Sequence, residues 1–91
     1  MADQKNGFIR VYDDVQTKKN LDYTYFLING KIEGEYKSYY SNGRLHLICY
    51  YKDGKIEGKF VSYYVNGNIR EISNYVNNQK QGVCKIYYDD G

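Results

Sequence analysis

A unit of 24 residues occurs three times in this chain, and that repetition constrains the fold more than any other feature. Asn29 opens NGKIEGEYKSYYSNGRLHLICYYK, Asp53 opens DGKIEGKFVSYYVNGNIREISNYV, and Asn77 opens NNQKQGVCKIYYDDG. The copies align without gaps. Gly34, Gly58 and Gly82 coincide, as do Tyr39-Tyr40, Tyr63-Tyr64 and Tyr87-Tyr88, and Gly43, Gly67 and Gly91. A unit this short cannot bury a hydrophobic face alone, so each copy must stack on its neighbours.

Turn chemistry selects the element type. Asn29-Gly30, Asn42-Gly43, Asp53-Gly54, Asn66-Gly67, Asn77-Asn78 and Asp90-Gly91 recur at alternating spacings of 13 and 11. Such pairs favour two-residue type I′ hairpin turns, and Asn is the non-glycine residue that best tolerates the left-handed backbone they need. Between the turns lie runs rich in Tyr, Ile, Val and Leu, in a chain without proline. No segment carries a helical period. The reading is all-β: a single-layer antiparallel meander of about seven strands, near 7–14, 20–28, 31–41, 44–52, 55–65, 68–76 and 79–89. Residues 1–20 fit the unit loosely and form a degenerate N-terminal cap, with Lys18-Lys19-Asn20 where a glycine turn belongs. The repeat array is residues 21–91.

Two-residue turns fix the register. They place Tyr40 opposite Leu45, Tyr36 opposite Cys49, Gly34 opposite Tyr51, Cys49 opposite Gly58, Leu47 opposite Phe60 and Gly58 opposite Tyr75. The repeated glycine thus faces a tyrosine, and the missing Cβ is expected to make room for the ring. One face collects Tyr36, Tyr40, Leu47, Tyr51, Phe60 and Tyr64, among others, and is the packed face; a monomer is expected to leave it wet on one side. The other collects eight cations (Lys31, Lys37, Arg44, Lys52, Lys55, Lys59, Arg70 and Lys85) against Glu33, Glu35 and Glu57. The formal net charge of +2 hides this sidedness.

The copies at Gly30–Leu45 and Gly54–Ile69, with their doubled aromatic ahead of an Asn-Gly turn, resemble MORN repeats of a variant found in bacterial antitoxin-component-type and giant-virus proteins. The resemblance covers about residues 21–91. It implies an elongated, twisted sheet of successive hairpins used for protein–protein contacts, with acidic-lipid binding proposed for some members. The third copy departs from the pattern: Cys84 replaces the aromatic of Tyr36 and Phe60, and Lys80-Gln81 replaces Ile-Glu.

Catalysis finds no support in the residues. His46 is the only histidine; its strand position puts it beside Tyr39 and Val61, and its counterpart one copy on is Arg70. Cys49 and Cys84 fall on strands too far apart for a disulfide or a shared metal, and read as small packing residues. Glu33, Glu35 and Glu57 read as a solvated charge ladder among lysines. The glycines match no phosphate-loop spacing, so no enzyme, cofactor or metal is expected. No apolar run approaches the 18 or so residues of a membrane span, and the first seven residues lack the pattern of a secretory signal; a cytoplasmic location is the expectation.

A binding or assembly module remains. The first expectation is a scaffold for protein–protein interaction or self-assembly, as a homodimer, through the Tyr-rich face or an open last strand whose edge carries Val83, Cys84, Ile86 and Tyr88. The alternative is recognition of an anionic surface, acidic lipid or nucleic acid, by Lys37, Tyr39, Lys59, Tyr63, Lys85 and Tyr87.

Overall fold

The computed structural model describes residues 6–12 and 21–87, all of them in strands, turns or short connections. The strands are β1 (Gly7–Tyr12), β2 (Leu21–Ile28), β3 (Lys31–Ile32), β4 (Gly34–Tyr39), β5 (Leu45–Lys52), β6 (Lys55–Ile56), β7 (Gly58–Tyr63), β8 (Ile69–Val76) and β9 (Gln79–Ile86). They form one open antiparallel sheet in the order β1-β2-β4-β5-β7-β8-β9, with the short β3 paired to β2 and β6 to β5. The molecule is 12 Å across its thinnest direction, the thickness of a single layer. The expected Lys18-Lys19-Asn20 turn and the Asp90-Gly91 turn lie outside the described residues.

The alternating spacing of 13 and 11 resolves into two kinds of turn. Asn29-Gly30, Asp53-Gly54 and Asn77-Asn78 hold positive φ at both positions, as type I′ turns require. Asn42-Gly43 and Asn66-Gly67 differ from the expected two-residue turn. There only the glycine is left-handed, the Gly43 N–H donates to the Tyr40 carbonyl and the Tyr40 N–H to the Arg44 carbonyl, a three-residue hairpin ending in a glycine bulge.

This bulge moves one residue away from the place that strand alternation predicts. Ser38 pairs with Leu47 but Tyr39 with Leu45, so His46 is the extra residue of the ladder. Its Nδ1 lies 2.9 Å from Ser38 Oγ and its ring meets the Tyr40 ring edge-on at 4.8 Å. His46 therefore belongs with Ser38 and Tyr40 on the packed face, not beside Tyr39 and Val61.

A second irregularity explains the repeated glycine. Gly34 does pair with Tyr51 and Gly58 with Tyr75, as the register predicts. Toward the preceding strand, however, Tyr51 pairs with Ile56 while Ile48 already pairs with Val61. Two residues on β5 thus face four on the other strand, which breaks into β6 and β7 at Glu57. Leu47 consequently pairs with Ser62, not Phe60, and Cys49 does not meet Gly58. Gly34, Gly58 and Gly82 carry φ of 84°, 93° and 72° at this kink. A Cβ built on Gly34 or Gly58 would touch nothing within 4 Å. The glycine is there for its backbone, not to seat a ring.

On the packed face Tyr23, Tyr25 and Tyr36 stack with centroids 6.0–6.2 Å apart, Tyr51 joins them at 5.7 Å, and Phe60 meets Tyr75 at 5.4 Å. Cys49 and Ser73, opposite Tyr36 and Phe60, are sealed to 1% exposure. The rings shelter one another, and Tyr36, Tyr40, Leu47, Tyr51, Phe60 and Tyr64 are all half-buried. Exposed apolar side chains on the opposite face include Phe8, Phe26, Ile28, Tyr50 and Val76.

Candidate interaction surfaces

Each copy is tied to the next by the residues that define the repeat. At the type I′ end, Glu33 Oε1 accepts the Asp53 N–H at 2.9 Å and Glu57 Oε1 the Asn77 N–H at 3.1 Å. The Gly54 and Asn78 N–H groups donate to the carbonyls of Ile32 and Ile56, both at 3.0 Å. At the other end, the Tyr40 hydroxyl donates to the Tyr63 carbonyl and the Tyr64 hydroxyl to the Tyr87 carbonyl, each at 2.6 Å. Arg44 adds a bond to the Asn66 carbonyl. The second tyrosine of the doubled pair is thus a connector between copies. Glu33 and Glu57 cap turns and are not a solvated ladder. Their signal in the sequence was recurrence at the repeat period at positions where simple strand alternation gives them no task.

The six basic-face candidates are not gathered into one site. Lys37 and Lys85 lie in a single row running Arg10, Thr24, Lys37, Ile48, Val61, Ile72, Lys85 across the sheet, with three apolar residues between the two lysines. Lys37 sits 3.5 Å from Glu35. Lys59 pairs with Asn74 outside that row. Tyr39 and Tyr63 end β4 and β7, near the connectors, and Tyr87 follows β9 with its N–H on the Arg70 carbonyl.

Among the described residues, strand β9 pairs with β8 alone. Ile86 is 70% exposed there, whereas the Cys84 thiol turns to Glu71 Oε2 at 3.4 Å. Val83 lies within β9 by its backbone, and Tyr88 is outside the described residues. Glu71 forms a polar corner on the packed face: Lys80 Nζ is 2.8 Å from its carboxylate and Ser73 Oγ 3.1 Å. The Lys80 hydrogen bond holds the Glu71 carboxyl below the usual range, against burial that pushes it up. These residues replace the apolar Leu47, Ile56 and Phe60 of the preceding copy, so the aromatic cover gives way to charge toward β9.

Among the described residues no group of three or more His, Cys, Asp and Glu side chains could hold a metal ion, and both cysteines are free thiols. Burial pushes the Cys49 thiol up to about 11, which leaves it protonated and unreactive at neutral pH. No helix among the described residues is long and apolar enough to cross a membrane.

Hairpins stacked edge to edge through period-24 connectors define a β-repeat protein. Residues 32–53 and 56–77 each match the family model of the MORN repeat variant. The chain is a MORN-repeat protein, and repeats of this family are in general non-catalytic modules that bind proteins or membranes. Neither a curated protein nor a solved structure matches it.

Proposed function

We propose that the protein is a non-enzymatic scaffold that binds another protein chain, including a second copy of itself, by strand addition at β9. The observation that carries this reading is the outer side of β9: among the described residues its backbone is paired on one side only, and Ile86 there is 70% exposed. Unpaired N–H and C=O groups in a row are a template for another strand. A two-fold antiparallel pair of β9 strands satisfies both edges at once and covers both Ile86 side chains. Sedimentation at high micromolar concentration tests it, with a dimer expected. Ile86→Glu combined with Gln79→Glu, both at exposed positions, is expected to give a folded monomer by placing carboxylates along the joint. A monomeric parent protein, or a double variant that still dimerises, overturns the reading.

A further inference from the structure

The middle repeat carries a cluster that the repeat does not need. Lys52 and Lys55 pair directly across the Asp53-Gly54 hairpin, a like-charge pairing that weakens a ladder. The first hairpin has Ile28 opposite Lys31 at these positions and the third Val76 opposite Gln79. Tyr50 lies two residues before Lys52 on the same face, 41% exposed, and Glu57, one residue beyond β6, donates its N–H to the Tyr50 carbonyl at 2.8 Å. Lys59 follows two residues further on β7, again on this face. The residues corresponding to Tyr50 and Lys59 are Phe26 and Glu35 around the first of these hairpins, and Asn74 and Val83 around the third. The fold is therefore compatible with other residues at all four positions.

Every acid close to this cluster is already engaged by the architecture. Asp53 is paired with Lys31 at 3.3 Å, Glu57 caps the Asn77 turn, and Glu35 is 3.5 Å from Lys37. Lys52, Lys55 and Lys59 are exposed and have no acidic partner among the described residues. Lys52 and Lys55 line an open hollow of about 310 Å³ shared with Asp53, Glu57, Val76 and Asn77. Asp53 is offset by Lys31, and among the described residues Glu57 is the one acid here without a cation. Three lysines therefore leave the surface net positive beside one exposed, flat aromatic ring, which complements a ligand that carries phosphates and an unpaired base.

We propose that this face, centred on Tyr50 with Lys52, Lys55 and Lys59, binds single-stranded nucleic acid, the lysines contacting phosphates and a base stacking on the Tyr50 ring. Open strands suit the site better than duplex, because the bases of a duplex already stack on one another and cannot lie on a side chain. The surface is separate from the β9 edge, so it goes beyond strand addition.

The test is fluorescence anisotropy with a labelled oligothymidylate, a duplex of equal length, and phosphatidylcholine vesicles containing phosphatidylserine. Variants borrow the third hairpin's own residues, Asn74, Val76 and Gln79, which the fold already accepts: Tyr50→Asn, and Lys52→Val with Lys55→Gln. The single strand is expected to bind the parent more tightly than the duplex does. Tyr50→Asn should weaken it about ten-fold with the salt dependence unchanged, while Tyr50→Phe keeps the affinity. The lysine double variant should lower the slope of log affinity against log salt by about 1.4, at about 0.7 for each phosphate no longer neutralised. No binding of the single strand, equal binding of duplex, unaltered affinity in Tyr50→Asn, or binding confined to the vesicles overturns the proposal. A thermal melt of each variant separates impaired binding from impaired folding. A monomeric parent that still binds the oligonucleotide overturns the edge reading alone.

Discussion

At Gly58 the backbone has a φ of 93° and a side chain would meet open space. Substitution there is opposed by conformation alone. Gly58→Val is expected to lower stability by about 1–2 kcal/mol or more, because a left-handed backbone presses Cβ toward the carbonyl and β-branching aggravates it. Gly58→Asn should recover part of the loss, which a steric clash with the Tyr75 ring would not allow. Urea denaturation of the two variants beside the parent decides between the causes; equal losses would favour the clash. Cys49 offers a second check at this scale. Its thiol is sealed to 1% exposure and its pKa lifted to about 11 by burial, so a thiol reagent at neutral pH should label Cys84 first and Cys49 only as the sheet opens. Equal labelling of both in the native protein would contradict the packing at Tyr36.

The hairpin of β8 and β9 differs from its predecessor by one polar corner. Glu71 has its carboxyl held below its ordinary 4.5, chiefly by the Lys80 hydrogen bond. The stability this supplies is present above the ordinary value and is lost as pH falls through the depressed folded value. Lys80 is shifted upward by the same bond, so its share persists below its ordinary 10.5 and disappears as pH rises through the raised value. Replacing the corner with the residues one repeat earlier, Glu71→Leu, Lys80→Ile and Cys84→Phe together, is expected to flatten the acid side of the stability curve. The hairpin should remain at least as stable at neutral pH, since an ion pair whose lysine is exposed contributes little beside packed apolar groups. Thermal melts from pH 3 to pH 8 would show it, and an unchanged acid limb would mean that other carboxylates govern it. This corner was only half legible in the sequence. Cys84, Lys80 and Gln81 stand out as departures from the pattern, but their meeting with Glu71 depends on a two-residue slip at Gly82, and alternation along a strand cannot reveal a slip. The meander, the type I′ turns and the pairing of Gly34 with Tyr51 were legible because two-residue turns and a strict period leave few alternatives. The three-residue turns at Asn42-Gly43 and Asn66-Gly67 were not, since the same Asn-Gly pair serves both geometries. The basic face was legible as a face, but the capping roles of Glu33 and Glu57, and hence the freedom of Lys52, Lys55 and Lys59, required the bulge.

Across the whole molecule, one layer leaves each repeat only its neighbours to lean on, so stability is transmitted by the strand ladders and by the connectors at both hairpin ends. The Tyr40 hydroxyl reaches the Tyr63 carbonyl in a part-buried setting, while the equivalent Tyr64 bond to Tyr87 is exposed. Removing a hydroxyl leaves the carbonyl without its partner, and that loss is larger where water cannot replace the bond. Tyr40→Phe is therefore expected to destabilise the protein by about 1–2 kcal/mol, and Tyr64→Phe by less. The effect should also be directional. Native-state amide exchange is expected to rise in β7 and β8 of Tyr40→Phe, beyond the severed tie, while the β1–β2 pair keeps its protection. In the parent the slowest amides should lie in β4, β5 and β7, which have neighbours on both sides, and the fastest in β1 and β9, the two edges of the sheet. Uniform exchange across all strands would mean that the sheet opens as one cooperative body and that the connectors do not divide it into repeats.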